Sequence, residues 1–151
     1  MAHVRKLIRH AAAALLKDNI AGVADRVLTG RRRALTENHK PTILVYFGDE
    51  EAERTANGRP PPSDRTATLY IEIRVQDPEE VDDKLDDIAE AVEKRIGATQ
   101  KFGGLASDTL YRGQDTVAQV PGTTIVAGMR LNYRVRYRVP EGNPTHDTGD
   151  S

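Results

Sequence analysis

The stretch Met129-Arg-Leu-Asn-Tyr-Arg-Val-Arg-Tyr-Arg-Val139 alternates apolar and polar residues almost without interruption. Met129, Leu131, Tyr133, Val135, Tyr137 and Val139 fall on one face of an extended chain, and Arg130, Asn132, Arg134, Arg136 and Arg138 on the other. A helix would scatter both sets around its axis, so the pattern requires a strand with one buried and one polar face. Side chains two apart on a strand stand ~7 Å from each other. Neighbouring arginines then repel by roughly 0.6 kcal/mol even at the dielectric of water. The row therefore needs anions, and its counter-charges are expected on a helix of the same chain or on an adjacent subunit. Phosphate is the competing possibility.

The rest of the chain supplies a frame for that strand. Val4, Leu7, Ile8, Ala11 and Leu15 recur at helical spacing and predict a helix from about His3 to Asp18. His3 and His10 lie on it, and without a further ligand they read as surface residues rather than a metal site. Val23 to Leu28 reads as a short strand, followed by a basic loop through His39. Pro41-Thr-Ile-Leu-Val-Tyr-Phe47 is a continuous apolar run, suited to a strand covered on both faces. The stretch 49–64 holds Asn57-Gly58 and Pro60-Pro61-Pro62 and reads as a long mobile loop.

Leu69, Ile71, Ile73 and Val75 alternate with Thr68, Tyr70, Glu72 and Arg74 in a half-buried strand that stops at Asp77-Pro78. That pair, with Glu80, forms a capping box opening a helix whose stripe is Val81, Leu85, Ile88, Val92 and Ile96, with Gly97 as its stop. Ser107 to Gln119 reads as a strand with a bulge at Gly113, and Pro121-Gly122 turns the chain into the last strand. The expected fold is α+β: a mostly antiparallel sheet, with room for a mixed one, of four or five strands and two helices packed against it. Residues 1–139 are expected to form a single domain and 140–151 a flexible tail.

The net charge of −1 argues against a dedicated nucleic-acid binder, and no apolar run has the ~18 residues of a membrane span. The amino-terminal stretch has helical spacing rather than the compact apolar run of a secretion signal. With no cysteine there is no disulfide scaffold, which fits a protein made in the cytoplasm. Charge is unevenly distributed: basic residues dominate up to Lys40, densest at Arg31, Arg32 and Arg33, whereas acids dominate from Asp77 to Glu93. Asp82, Asp83, Asp86, Asp87 and Glu90 all belong to the polar side of one helix. A divalent-metal site normally draws carboxylates from several elements, so a solvated or subunit-facing surface is the better reading. The serines and histidines show no nucleophile context, and Gly103-Gly104 lacks the rest of a phosphate loop. No catalytic residue, cofactor or metal is expected. Binding of nucleic acid by Arg130, Arg134, Arg136 and Arg138 is the alternative function, weakened because Tyr133 and Tyr137 point into the core and offer no stacking surface.

In order and spacing these segments resemble the minor tail protein U family, the tail terminators of long-tailed phages. The resemblance runs from about Val4 to Val139. It rests on the first helix, Gly22 with Arg26-Val27, Pro41 to Tyr46 with Asp49-Glu50-Glu51, Leu69 to Val75, the acidic helix from Val81 to Glu93, and Leu131-x-Tyr133-x-Val135-x-Tyr137. The stretch 49–64 is not part of the shared pattern beyond its acidic start. The resemblance implies a structural protein, not an enzyme: a homohexameric ring that caps the tail tube, ends its polymerisation and offers the head-tail connector protein a docking surface. Partners would be other copies of itself, the tail tube protein and the connector, with DNA only as the genome passing through the lumen. It implies a place at the neck end of the virion tail, after assembly in the host cytoplasm. Contacts are expected between acidic residues of one subunit (Asp82, Asp83, Asp86, Asp87, Glu90) and basic ones of the next (Arg31, Arg32, Arg33 and the final-strand arginines).

Overall fold

The computed structural model describes residues 3–30, 41–54, 61–75, 81–117 and 127–145. The chain runs α1 (Val4–Leu16), β1 (Val27–Thr29), β2 (Thr42–Arg54), β3 (Pro62–Val75), α2 (Val81–Gly97), a short 3-10 turn (Phe102–Gly104), β4 (Asp108–Val117) and β5 (Ala127–Pro140). The strands form one mixed sheet in the order β1-β2-β3-β5-β4. Only β1 runs parallel to its neighbour; the other pairs are antiparallel. The α+β expectation holds, including its allowance for a mixed sheet.

Both helices lie on the same sheet face. The α1 residues Val4, Ile8, Ala12, Ala13 and Leu16 join Leu85, Ile88, Ala89, Val92 and Ile96 of α2 in one hydrophobic cluster. Beneath them sit Ile43, Val45, Phe47, Leu69, Ile71, Ile73, Leu131, Tyr133, Val135 and Tyr137. Each fully buried aliphatic side chain contributes about 1.5–3 kcal/mol, so this face dominates the stability. The α1 stripe is rotated from its sequence expectation, since Leu7, Ala11 and Leu15 are only half-buried and Ala12, Ala13 and Leu16 take the centre. The small alanines let the helix approach the sheet along that line. Acidic Asp82 and Asp83 in the first turn of α2 and Lys94 and Arg95 in its last complement the helix dipole. The Asp77-Pro78 capping box and the Pro121-Gly122 turn fall outside the described residues.

The chain departs from the sequence reading at three places. Val23 is buried in the turn after α1, and β1 begins only at Val27. Arg26 fixes this corner, donating from Nε to the Pro41 carbonyl (2.9 Å) and from Nη2 to that of Gly22 (2.5 Å). Second, residues 49–54 and 62–64 are not loop. They are ladder, paired Glu51↔Thr66, Glu53↔Asp64 and Arg54↔Ser63. Backbone pairing needs no apolar side chains, and β3 supplies a template because its other edge is already paired with β5 from Pro62↔Pro140 to Val75↔Ala127. A bulge between Phe47 and Glu50 lets β2 make the extension. Gly48 sits there because a Cβ would come within 2.5 Å of the Tyr70 ring. Third, the tail is held as far as Thr145. The Val4 amide donates to the Pro144 carbonyl (2.8 Å), His3 bridges Thr145, and Arg54 pairs with Glu141 (2.7 Å).

Other expectations hold. Thr42 to Phe47 are buried on both faces of the sheet, and β4 breaks register between Tyr111 and Gly113, where Gly113 takes a φ of 128°.

Candidate interaction surfaces

The alternation of β5 survives intact in three dimensions. Tyr133 and Tyr137 are 3% and 1% exposed beneath the helices, while the arginines stand on the opposite face. Burial raises the hydroxyl pKa of both tyrosines, and Glu50 reinforces the shift at Tyr137. The Tyr137 hydroxyl donates to Glu50, whose carboxylate also lies 3.6 Å from Arg5 and 3.7 Å from Arg65. His3 packs edge-on to the Tyr137 ring, and its Nδ1 accepts from the Arg5 amide (3.0 Å), capping α1. Partial burial, followed by the nearby Arg5 charge, lowers the His3 pKa. His3 is thus a helix cap, not a simple surface residue.

On the helix-free face, β5 and β3 register Arg138 against Asp64, Arg136 against Thr66, Arg134 against Thr68 and Arg130 against Glu72. Arg138 pairs with Asp64 at 2.6 Å and Arg130 with Asp115 of β4 at 3.0 Å. Hydrogen bonds from Asn132 and then Arg130 hold the Asp115 carboxyl below its ordinary range. These partners correct the expectation that α2 answers the row: α2 lies on the other side of the sheet, and the anions come from the flanking strands. Arg134 and Arg136 have no ion pair among the described residues, and Arg134 Nε is buried without a hydrogen-bond partner. Arg134 lines an open groove of about 490 Å³ with Arg112, Thr66, Thr68, Tyr70, Asn132, Asp49 and Glu51.

Sequence reasoning overlooked an aromatic pair on this face. Tyr46 and Tyr70 lie 5.4 Å apart, and the Arg130 guanidinium stands 4.4 Å over the Tyr70 ring. The Tyr46 hydroxyl donates to Glu72 (2.7 Å), a carboxylate only 4% exposed that also pairs with Arg74. Burial, then this hydrogen bond, raises the Tyr46 pKa. The alternation of β3 put Tyr70 on the polar face, but no sequence signal gave the register that sets it under Arg130.

Asp82, Asp83, Asp86, Asp87 and Glu90 are exposed on α2, with Asp86 and Glu90 toward its β4 side, and Glu90 pairs with Lys94 at 3.2 Å. No three His, Cys, Asp or Glu side chains group as metal ligands among the described residues. Arg31, Arg32 and Arg33 fall outside those residues. The structure therefore does not join the acidic set to the arginine row within one subunit; it puts them on opposite sides.

Such an arrangement, a helix-covered mixed sheet with opposed charged surfaces, defines an α+β protein. The chain belongs to the phage minor tail protein U family, whose family profile matches residues 3–137. It is accordingly a structural protein of the phage tail and a component of the virion. The comparison with curated proteins finds no match. Among solved structures, a chain from the virion of a native gene transfer agent particle is similar over 91% of this chain and 92% of that one, at 11% identity and a TM-score of 0.34. That likeness is too distant to carry a residue or a role across.

Proposed function

We propose that the protein assembles into a homohexameric ring that caps the tail tube, stops its polymerisation and gives the head-tail connector a docking surface. The observation that carries this reading is the separation of charge: exposed carboxylates on α2 and arginines on the opposite face of one nearly neutral subunit. A cyclic ring uses heterologous contacts, in which one patch of each subunit meets a different patch of the next. Opposite charges on different sides of each copy favour that contact and penalise the face-to-face alternative. Asp82, Asp83, Asp86, Asp87 and Glu90 form the acidic half. Arg31, Arg32, Arg33, Arg130, Arg134, Arg136 and Arg138 are the cations singled out by sequence. Of the final-strand set, Arg134 and Arg136 are the ones without an intrachain ion pair among the described residues.

Native mass spectrometry of the full chain tests the ring, at low and physiological salt, with and without Mg²⁺, and with the tail tube protein added. A hexamer is expected in at least one of these conditions. A monomer in all of them defeats the proposal. Nucleic-acid binding by the open face is the second reading, and Tyr70 under Arg130 is the observation in its favour. It requires DNA or RNA affinity that falls steeply with added salt.

A further inference from the structure

The two lateral ends of the subunit differ as sharply as its two faces. At the β4 end, Asp86, Glu90 and Glu93 border a groove of about 450 Å³ between α2 and the strand, together with Tyr111, Leu131 and Lys94, whose single cation pairs with Glu90 and leaves the acids in excess. Their spacing puts the three carboxylates on one side of the helix. Among the described residues the outer edge of β4 has no partner strand, and it carries Leu110 and Tyr111, the large exposed hydrophobic residues of that set, at 41% and 40% exposure. They are adjacent in the strand, so they flank the edge on opposite faces of the sheet.

At the other end, β1 covers β2 only as far as Val45. Beyond it, Tyr46, Phe47 and Gly48 line a groove of about 360 Å³ with Gly30 and the first turns of α1. The α1 contribution is basic: Arg5, Lys6 and Arg9, with His3 beside them. Lys6 is exposed, and Arg9 Nε is buried without a hydrogen-bond partner. Unpaired strand edges are normally blunted or covered, and among the described residues both ends of this sheet offer one.

We infer that the α2–β4 end of one subunit docks into the α1–β2 groove of a second copy of this chain. Asp86, Glu90 and Glu93 meet Lys6 and Arg9, while Arg5 is held by Glu50 of its own subunit, and Leu110 and Tyr111 are covered at the same contact. Both ends lie in the same sheet-and-helix layer, because α1 packs on β1 and β2 while α2 packs on β3 and β5. Head-to-tail repetition of this contact is lateral and self-propagating, and a closing rotation makes it a ring. The inference rests on the ring reading but replaces the cation half of its contact: the α2 carboxylates meet α1, a basic surface that the sequence did not single out, instead of the arginine row. The arginine row is then left on the free sheet face, available to a different protein of the tail.

The test is a charge swap in the full-length protein, with assembly followed by sedimentation velocity and folding by circular dichroism. Lys6→Glu with Arg9→Glu, and separately Glu90→Lys with Glu93→Lys, are each expected to raise the subunit dissociation constant by about tenfold or more. Combining all four substitutions recovers most of that loss. If reversal of Lys6 and Arg9 unfolds the chain, Lys6→Gln with Arg9→Gln must still weaken assembly, by a smaller factor. Parent-like assembly of either folded double variant, or no recovery in the combination, overturns the inference and leaves the ring standing. Disruption by Arg134→Glu with Arg136→Glu but not by the Lys6 and Arg9 pair moves the contact to the open face and also overturns it. A parent protein that stays monomeric under every condition removes both the ring and this contact.

Discussion

Tyr133 and Arg134 are neighbours in sequence and stand on opposite faces of one sheet. The face beneath the helices is held by shape: aliphatic and aromatic side chains fill the space under α1 and α2, Glu50 ties together Tyr137, Arg5 and Arg65, and the Tyr133 hydroxyl is buried without a hydrogen-bond partner. The open face is held in part by charge, through Asp64 with Arg138, Asp115 with Arg130 and Glu72 with Arg74, while Arg134 and Arg136 have no ion pair among the described residues. The lesson is a division of labour. Desolvated apolar contacts hold the fold, whereas the more exposed pairs on the open face, Arg138 with Asp64 and Arg130 with Asp115, add little stability and can be redirected to a partner.

The sharpest way to break this comparison is Leu131→Ala. Leu131 is fully buried in the helix-covered cluster, so the cavity should lower unfolding free energy by about 3–5 kcal/mol in urea titrations. A loss below about 1 kcal/mol, the ordinary range for surface changes, would mean that this face is loosely packed and the contrast is wrong. Tyr137→Phe is a finer probe. It keeps the ring against His3 and removes only the hydroxyl that donates to Glu50, at an expected cost of about 1–2 kcal/mol. An unchanged urea midpoint would show that Arg5 and Arg65 alone satisfy Glu50.

The smallest expected effect is a pH slope. The folded pKa of His3 is depressed below its ordinary value of 6.5. As pH falls through 6.5, the unfolded chain takes up the proton first, so stability declines until the folded-state pKa is passed and then levels off. The physical cause is partial burial, which disfavours the charged imidazolium, followed by the nearby Arg5 charge. His3→Asn retains a capping acceptor without titrating, and stability measured against pH should lose this component. Identical slopes for the parent and the variant would remove His3 from the account.

Period-two alternation in β5 and the helical stripe of α2 were legible because each depends on residues near one another in sequence. The same locality limited the reading elsewhere. Glu50 to Glu53 look like loop when judged by their own side chains, and became strand only because β3 offered a backbone partner. Asp64 and Asp115 gave no sign that they would answer Arg138 and Arg130, since strand order and register bring them together across the sheet. Arg5, Lys6 and Arg9 were not singled out by sequence, and the packing of α1 beside β2 beyond Val45 makes them one wall of a groove.

By itself, then, the sequence determined that α1 and α2 are helical, that the cores of β2, β3 and β5 are extended, and which faces of α2, β3 and β5 are apolar, because backbone sterics and side-chain spacing act over a few residues. It also determined that one strand carries a row of like charges needing anions. Only the tertiary structure decided whose anions those are, where the sheet's edges are left unpaired, and that the acidic helix and the arginine row lie on opposite sides. Those outcomes depend on strand order and register, which are set by the collective burial of one sheet face against two helices and have no local signature.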